Sequence, residues 1–180
     1  MRREYVPMPP PQTIEGIPVY LQNELQRISR FLGGISEIHD SGMFLSTEGA
    51  TMDLTTTPTT VTAYDTVRAD QEGLVADKDD GTFTFLSASR YRLNFSANMS
   101  HQAGGSTDTT IGVYINDVLQ GGTEHTLNFN GSHYLPVSFT AKGTAEQGDV
   151  VKIKMAMDSG TSTVTFNILD VDIEGKSTDV

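Results

Sequence analysis

No cysteine occurs in this 180-residue sequence. That absence removes disulfides, thiolate zinc sites and thiol nucleophiles together, and it sets the chain apart from small secreted domains held by bridges. Basic residues are scarce, with 12 Lys and Arg against 23 Asp and Glu and a net charge of −11. A broad basic face for nucleic acid is therefore not expected. No apolar run approaches the roughly 20 residues that a membrane span needs, so no membrane insertion is expected either. Arg2 and Arg3 would suit an export signal, but Pro7, Pro9, Pro10 and Pro11 stand where its apolar region should be, and no targeting segment is read.

Chemistry-bearing constellations are missing too. The histidines, His39, His101, His125 and His133, show no pair at the three-to-five spacing of a metal site. His125 and His133 flank an expected hairpin, LNFNGSHYL, where they either meet across it or stand as two solvated loop residues. Asp77, Asp79 and Asp80 with Gly81 imitate the opening of a calcium loop, but the twelfth position is Ala88, where a bidentate Glu belongs. No metal is assigned, and these three carboxylates are the residual candidates for one. Asp170 and Asp172, two apart, share a strand face, the ordinary pattern of a wet surface. No Gly-x-Ser-x-Gly elbow marks a nucleophile, and no glycine loop opens a helix to cradle phosphate. Ser132 and His133 would point to opposite faces of any strand that held them. No catalytic residue and no cofactor follow, and the chain is not expected to be an enzyme.

What is present begins with Pro18 to Leu32, PVYLQNELQRISRFL, followed by Gly33 and Gly34. Leu21, Leu25, Ile28 and Leu32 are spaced four, three and four apart, as in a coiled-coil seam. Pro18 suits the first turn of a helix and the glycine pair suits its exit. Leucine at a with isoleucine at d leans towards trimers or tetramers. Two heptads are too few to hold helices together alone. The helix over 18–34 is thus either the neck of an assembly that also associates elsewhere or an amphipathic helix packed on its own domain. Ahead of it, residues 1–17 read MRREYVPMPPPQTIEGI, and the prolines impose an extended path. This segment, with Tyr5, Val6, Met8, Pro9, Pro10, Pro11, Ile14 and Ile17, is either a disordered tail or an arm that lies in a groove on a neighbouring protein. Residues 1–34 hold four arginines against three glutamates, so the acidity lies wholly beyond them.

Residues 35–60 are rich in Thr, Ser and Gly and read as an irregular linker with short strands, one of them at Met52 and Leu54. From 61 to 180 a two-residue period takes over. Phe83 and Phe85 alternate, then Tyr91, Leu93, Phe95, Ala97 and Met99, then Ile111, Val113 and Ile115. Leu135, Val137, Phe139 and Ala141 follow, then Val151, Ile153, Met155 and Met157. Val164, Phe166 and Ile168 lead to Val171 and Ile173, with an expected phase slip at Leu169 and Asp170. Strands that bury one face only form antiparallel sheets. The turn residues between them, such as Asp79-Asp80-Gly81, Asn116-Asp117 and Gly148-Asp149, punctuate an all-β sandwich or jelly roll.

The order GTFTFLSASRYRLNFSANMS, IGVYINDVLQGG, YLPVSFTAKGTAEQGDVVKIKM and TVTFNILDVDI resembles the complement-type and tumour-necrosis-factor-like jelly roll. The residues that carry the resemblance are Gly81, Phe83, Tyr91, Phe95, Gly148, Asp149, Val151 and Phe166, and it covers about residues 60–175. It implies a homotrimer around a three-fold axis with the chain termini close to that axis. Some members of that family hold calcium through loop carboxylates.

The Pro-rich arm running into Leu21, Glu24, Leu25 and Ile28 is similar to the beginnings of many small tailed-bacteriophage structural proteins. Joined to the jelly roll, that resemblance implies a homotrimeric structural protein on the exterior of the virion. Its partners would be further copies of itself and other virion proteins, a tail adaptor or the major capsid protein. As a short tail fibre it would meet a host cell-surface glycan or protein through loops at 101–109, 119–134 and 157–163, with His101, Asp108, Phe129, Asn130 and His133 as the receptor-facing residues. As a capsid decoration protein it would bridge capsomers through arm, neck and lower rim. A soluble complement-type binding module is the more distant reading. Replacing Leu25 and Ile28 together with Asp should leave a folded β domain and weaken the trimer or its attachment. Sedimentation of the double variant checks this: full trimer and unchanged attachment would mean that the helix packs only locally.

Overall fold

Alternating residues make a strand with one face to bury, and two such sheets bury theirs against each other. The computed structural model describes residues 21, 23–25, 38–45, 48–68, 73–102, 106–130 and 133–177. The arm residues Tyr5, Val6, Met8, Pro9, Pro10, Pro11, Ile14 and Ile17, and the seam residues Ile28 and Leu32, lie outside the described residues. Leu21 and Asn23 to Leu25 are helical.

The strands are β1 (Ile38–Phe44), β2 (Ala50–Leu54), β3 (Thr59–Thr60), β4 (Thr66–Val67), β5 (Leu74–Asp77), β6 (Thr82–Phe85) and β7 (Ser89–His101). They continue with β8 (Ser106–Ile115), β9 (Val118–Leu119), β10 (His125–Asn130), β11 (Leu135–Ala145), β12 (Val150–Met157) and β13 (Ser162–Ser177). One sheet runs β11-β7-β13-β1-β4, with β2 also on β13; the other runs β10-β8-β12-β6-β5, with β3 on β12 and β9 on β8. Every pairing is antiparallel. The chain changes sheet between β2 and β3, β3 and β4, β4 and β5, β6 and β7, β7 and β8, β10 and β11, β11 and β12, and β12 and β13. Such exchange makes a jelly roll rather than a meander. Phe83, Phe85, Phe95, Phe129 and Phe166 are each 2% exposed or less and fill the space between the sheets.

The turn at Gly81 has φ +63°, and a Cβ there would stand 2.1 Å from the Val61 carbonyl, so only glycine fits. At the β11–β12 turn the Asp149 carboxylate accepts the Glu146 N–H at 2.8 Å and the Asn116 amide at 2.7 Å. Asn116 in turn accepts the Val150 N–H at 3.0 Å, which ties two turns together.

Three expectations are corrected. Within the expected linker, 38–44 and 50–54 are strands of the sheet: β1 lies between β13 and β4, and β2, which holds the strand expected at Met52 and Leu54, pairs with β13. The inner face of β1 carries Ser41 beside Met43, both buried, so hydrogen bonding on both sides holds a strand with little apolar alternation. The phase slip in β13 falls at Asn167, where the register shifts between Phe166 and Ile168. Ile168 is consequently 53% exposed and Leu169 is in the core. Finally, β10 and β11 are no hairpin, because β10 pairs with β8 and β11 with β7. His125 and His133 do not meet across a ladder.

The registers also give the sandwich two ends. Ile38 faces Lys176 and Ser177 faces Ser89 at one end, where strand β1 begins. At the other, Val164 faces His101, Ser106 faces Asn130 and the Asp158 N–H donates to the Asp108 carbonyl. Phe166→Ala should cost about 3–5 kcal/mol of stability, whereas Ile168→Ala should stay within about 0.5 kcal/mol. Urea unfolding of both variants checks the bulge, and equal losses would put Ile168 back in the core.

Candidate functional site

The outward face of the β11-β7-β13-β1-β4 sheet is built by the even-phase residues of its strands. One row crosses four strands and ends on Arg68, just past β4: Thr140 faces Asn94, Asn94 faces Asp172, Asp172 faces Gly42, and the Arg68 N–H donates to the Gly42 carbonyl at 2.9 Å. The next row runs Ser138, Ser96, Asp170, Phe44 and Thr66. Thr140 donates its hydroxyl to the Asn94 carbonyl oxygen at 3.0 Å. Arg68 reaches over β1 to both carboxylates on β13. Its Nη2 donates to Asp170 at 3.1 Å, its Nη1 bonds Asp172, and its guanidinium lies 6.0 Å from the centre of the Phe44 ring.

Gly42 makes that crossing feasible. A Cβ there would stand 2.8 Å from the Asp172 carboxylate and 2.9 Å from Arg68 Cδ. Burial raises the Asp170 pKa above the usual carboxylate value; the neighbouring Asp172 charge adds to the rise, and Arg68 opposes it. Burial also raises the Tyr64 hydroxyl pKa, with the Asp170 charge contributing.

Asn94, Ser96, Ser138, Thr140, Asp170 and Asp172 surround a shallow hollow of about 350 Å³ on this face. Around the sandwich edge lies a second hollow of about 380 Å³, between β10 and β11, lined by His125, Leu127, Pro136 and Phe139 among others. Phe139 separates the two. Its ring stacks 5.0 Å from Phe95 on the core side and lies 4.8 Å from the His125 ring on the outside. Chemically, this surface offers carboxylates, amides, hydroxyls and one half-buried aromatic.

The far end of the sandwich corrects the receptor-facing assignment. His101 and Phe129 are 0% and 1% exposed and stack on each other at 5.5 Å, so neither faces a partner. Burial lowers the His101 pKa, and its Nδ1 lies 3.2 Å from the Ser162 hydroxyl. Both were placed outside because strand alternation stops being legible where the chain turns. Asp108 is half-buried and accepts the Asn128 amide at 2.6 Å, while His133 is exposed. Asn130 pairs with Ser106 through the backbone.

Asp77, Asp79 and Asp80 are exposed, and the carboxylates of Asp77 and Asp79 are already engaged. The Asp77 carboxylate accepts the N–H groups of Asp79 and Asp80 at 2.9 and 3.2 Å, and Lys78 bonds Asp79 at 2.5 Å. Among the described residues no group of three His, Asp or Glu is placed to hold a metal. On the other sheet, Asp117 is bridged by Lys154 at 2.8 Å and Lys152 at 3.0 Å, which holds its pKa down at about 2. Arg68 was missed by sequence reasoning because its partners lie over 100 residues away; Gly42 next to a buried methionine was the available signal.

Asp170→Asn should flatten the pH dependence of stability above the ordinary carboxylate pKa of about 3.9. A carboxyl with a raised folded pKa contributes stability that is full below the unfolded value and lost as pH rises through the folded one. Urea midpoints over a pH series check this; an unchanged slope in the variant would assign it to another group.

Neither a family model nor a curated protein sequence matches this chain. Among solved structures, Eiger TNF from S. frugiperda superposes with a TM-score of 0.53 at 8% identity, over 79% of this chain and 94% of that one. The globular domain of a zebrafish complement 1qA protein gives 0.46 at 19% identity, over 77% and 96%. PRD1 vertex protein P5 gives 0.43 at 12% identity, over 79% and 99%. At these identities the first likeness establishes architecture alone: the chain has a tumour-necrosis-factor-like jelly-roll fold.

Proposed function

We propose that this chain is a non-enzymatic, homotrimeric structural protein on the exterior of a bacteriophage particle. Its arm and neck root it, its jelly roll projects outwards, and it serves as a short tail-fibre, host-attachment appendage. The observation that carries this reading is the polarity of the sandwich. Strand β1 begins at the end where Ile38 faces Lys176, and the turn after β12 lies at the opposite end, where the Asp158 N–H donates to the Asp108 carbonyl. A root and a tip are thereby separated by the length of β13.

Self-association is supported by two surfaces. Leu21 and Leu25 are helical and 52% and 65% exposed, while Glu24 between them is buried. Leu21 and Leu25, the two described seam residues, are therefore open to other copies. The row through Asn94, Asp172 and Arg68, continuous with the β10–β11 hollow, supplies a second contact of the kind a two-heptad neck needs. The histidines support a non-enzymatic role, since His101 is packed on Phe129 and His125 on Phe139.

Capsid decoration is the second reading, and burial of Phe129 favours it. Tyr134, 46% exposed, is then the large exposed aromatic near the tip among the described residues, a thin platform for stacking a sugar. In that case the arm, neck and lower rim contact the major capsid protein. Immunogold electron microscopy of purified particles, with antibody against residues 60–180, tests both. Label on the tail is expected for the appendage and label over the head for the decoration protein. Particles that contain the protein yet stay unlabelled would sink the outward-facing picture.

A further inference from the structure

The eight Lys and Arg side chains beyond residue 60 divide into two groups. Arg68, Lys78, Lys152 and Lys154 each hold a carboxylate. Arg90, Arg92, Lys142 and Lys176 are exposed, and none has a carboxylate within ion-pair distance among the described residues. All four of the second group fall on one patch. Lys142 on β11 faces Arg92 on β7, Arg92 faces Glu174 on β13, and Arg90 on β7 faces Lys176 on β13. Like charges directly opposed across a ladder are destabilising. Two such pairs in adjacent rows, on a chain of net charge −11, are a cost that a partner of opposite charge would offset.

The chain carries the reciprocal pattern at the other edge of the sandwich. Asp77, Asp79 and Asp80 on the β5–β6 turn and Asp65 before β4 are exposed; the hydrogen bond and charge of Asp79, with the charges of Asp77 and Asp65, raise the Lys78 pKa. The patch is therefore four cations around Glu174, which has Asp40 of β1 opposite it in register, and the corner is four carboxylates near Lys78. Strand β11 ends one sheet on the patch side, whereas β4 and β5 end the two sheets on the corner side.

We propose that these two surfaces meet between neighbouring copies, the Arg90–Arg92–Lys142–Lys176 patch of one against the Asp65–Asp77–Asp79–Asp80 corner of the next. Different surfaces in contact make a heterologous interface, and such an interface closes into a ring when the rotation permits. A second copy fits better than a polyanion. Phosphates would be pushed away by Glu174 and by the net charge of the chain, while the corner offers Lys78 to Glu174. This inference rests on the homotrimeric reading and names the charges that set its rotational register. Because the groups are exposed, the contact is salt-sensitive, with a screening length of about 8 Å at physiological ionic strength.

Sedimentation velocity of the full chain at low and high salt tests it. Arg92→Glu with Lys142→Glu should weaken trimer formation by about ten-fold at low salt, and Asp79→Lys with Asp80→Lys should do the same. All four substitutions together should restore the trimer to within about three-fold of wild type. Arg90→Glu with Lys176→Glu provides an independent second pair, and urea midpoints confirm that each variant is folded. Reversals that leave the trimer unchanged overturn the contact while the homotrimer stands. Loss in both single sets without restoration in the combination overturns it too, because the patches then meet other partners. A wild-type chain that stays monomeric at every concentration removes the homotrimeric reading itself.

Discussion

The extra residue at Asn167 decides what the first sheet buries and what it shows. Strict alternation from Val164 and Phe166 would carry Ile168, Asp170, Asp172 and Glu174 onto the inner face. Three carboxylates among Phe95, Leu93 and Met43 would have to lose their water without partners, a cost far beyond what one strand contributes. The bulge reverses the phase, so that Leu169, Val171 and Ile173 enter the core and the acids face outwards. Since β13 pairs with β7, β1 and β2, that single insertion sets the chemistry of the sheet face as well as its packing.

Turning the acids out creates a second constraint, because Asp170 and Asp172 then stand side by side in partial burial. Arg68 answers it from two strands away, and Gly42 leaves the room it needs to lie across β1. The arrangement contributes little net stability, since the ions give up water for partners of similar strength. What it supplies is geometry. The guanidinium is held between two carboxylates and the Phe44 ring, which fixes a charged relief on an otherwise polar sheet. A relief of that kind selects the orientation of whatever lies against it more than it raises affinity.

Long runs of alternation made the central strands legible from residue order alone. Tyr91 to Met99 in β7 and Val151 to Met157 in β12 enter the core as their period demands. The strands that escaped notice are those held by neighbours rather than by their own apolar face. In β1, IHDSGMF, the inner face includes a serine and the outer face a glycine, so no period shows. The pairing of β10 with β8 instead of β11 was equally hidden, since a short connection between two strands looks the same whether the chain folds back or crosses to the other sheet. His101 and Phe129 are misread for a related reason: they lie at or next to the ends of their strands, and only their tertiary neighbours determine that both are covered. The Arg68 cluster joins residues far apart in sequence and could be found only once the register was known.

Copies of so acidic a chain repel one another at long range, so association depends on contacts that reverse the sign locally. A jelly roll that assembled through apolar area alone would need large exposed hydrophobic side chains on its sheet faces. Among the described residues such side chains are scattered, as with Val75, Leu86, Val118 and Ile168. In the proposed trimer the available forces would be the exposed Leu21 and Leu25, which would draw helices together without fixing the rotation of the heads, and the charge pattern of the sandwich, which would fix rotation without much affinity. Each lacks what the other provides. A short neck beside a patterned head is therefore a workable division of labour, with the helix raising the local concentration of heads and the charges choosing one register from the many that the neck allows.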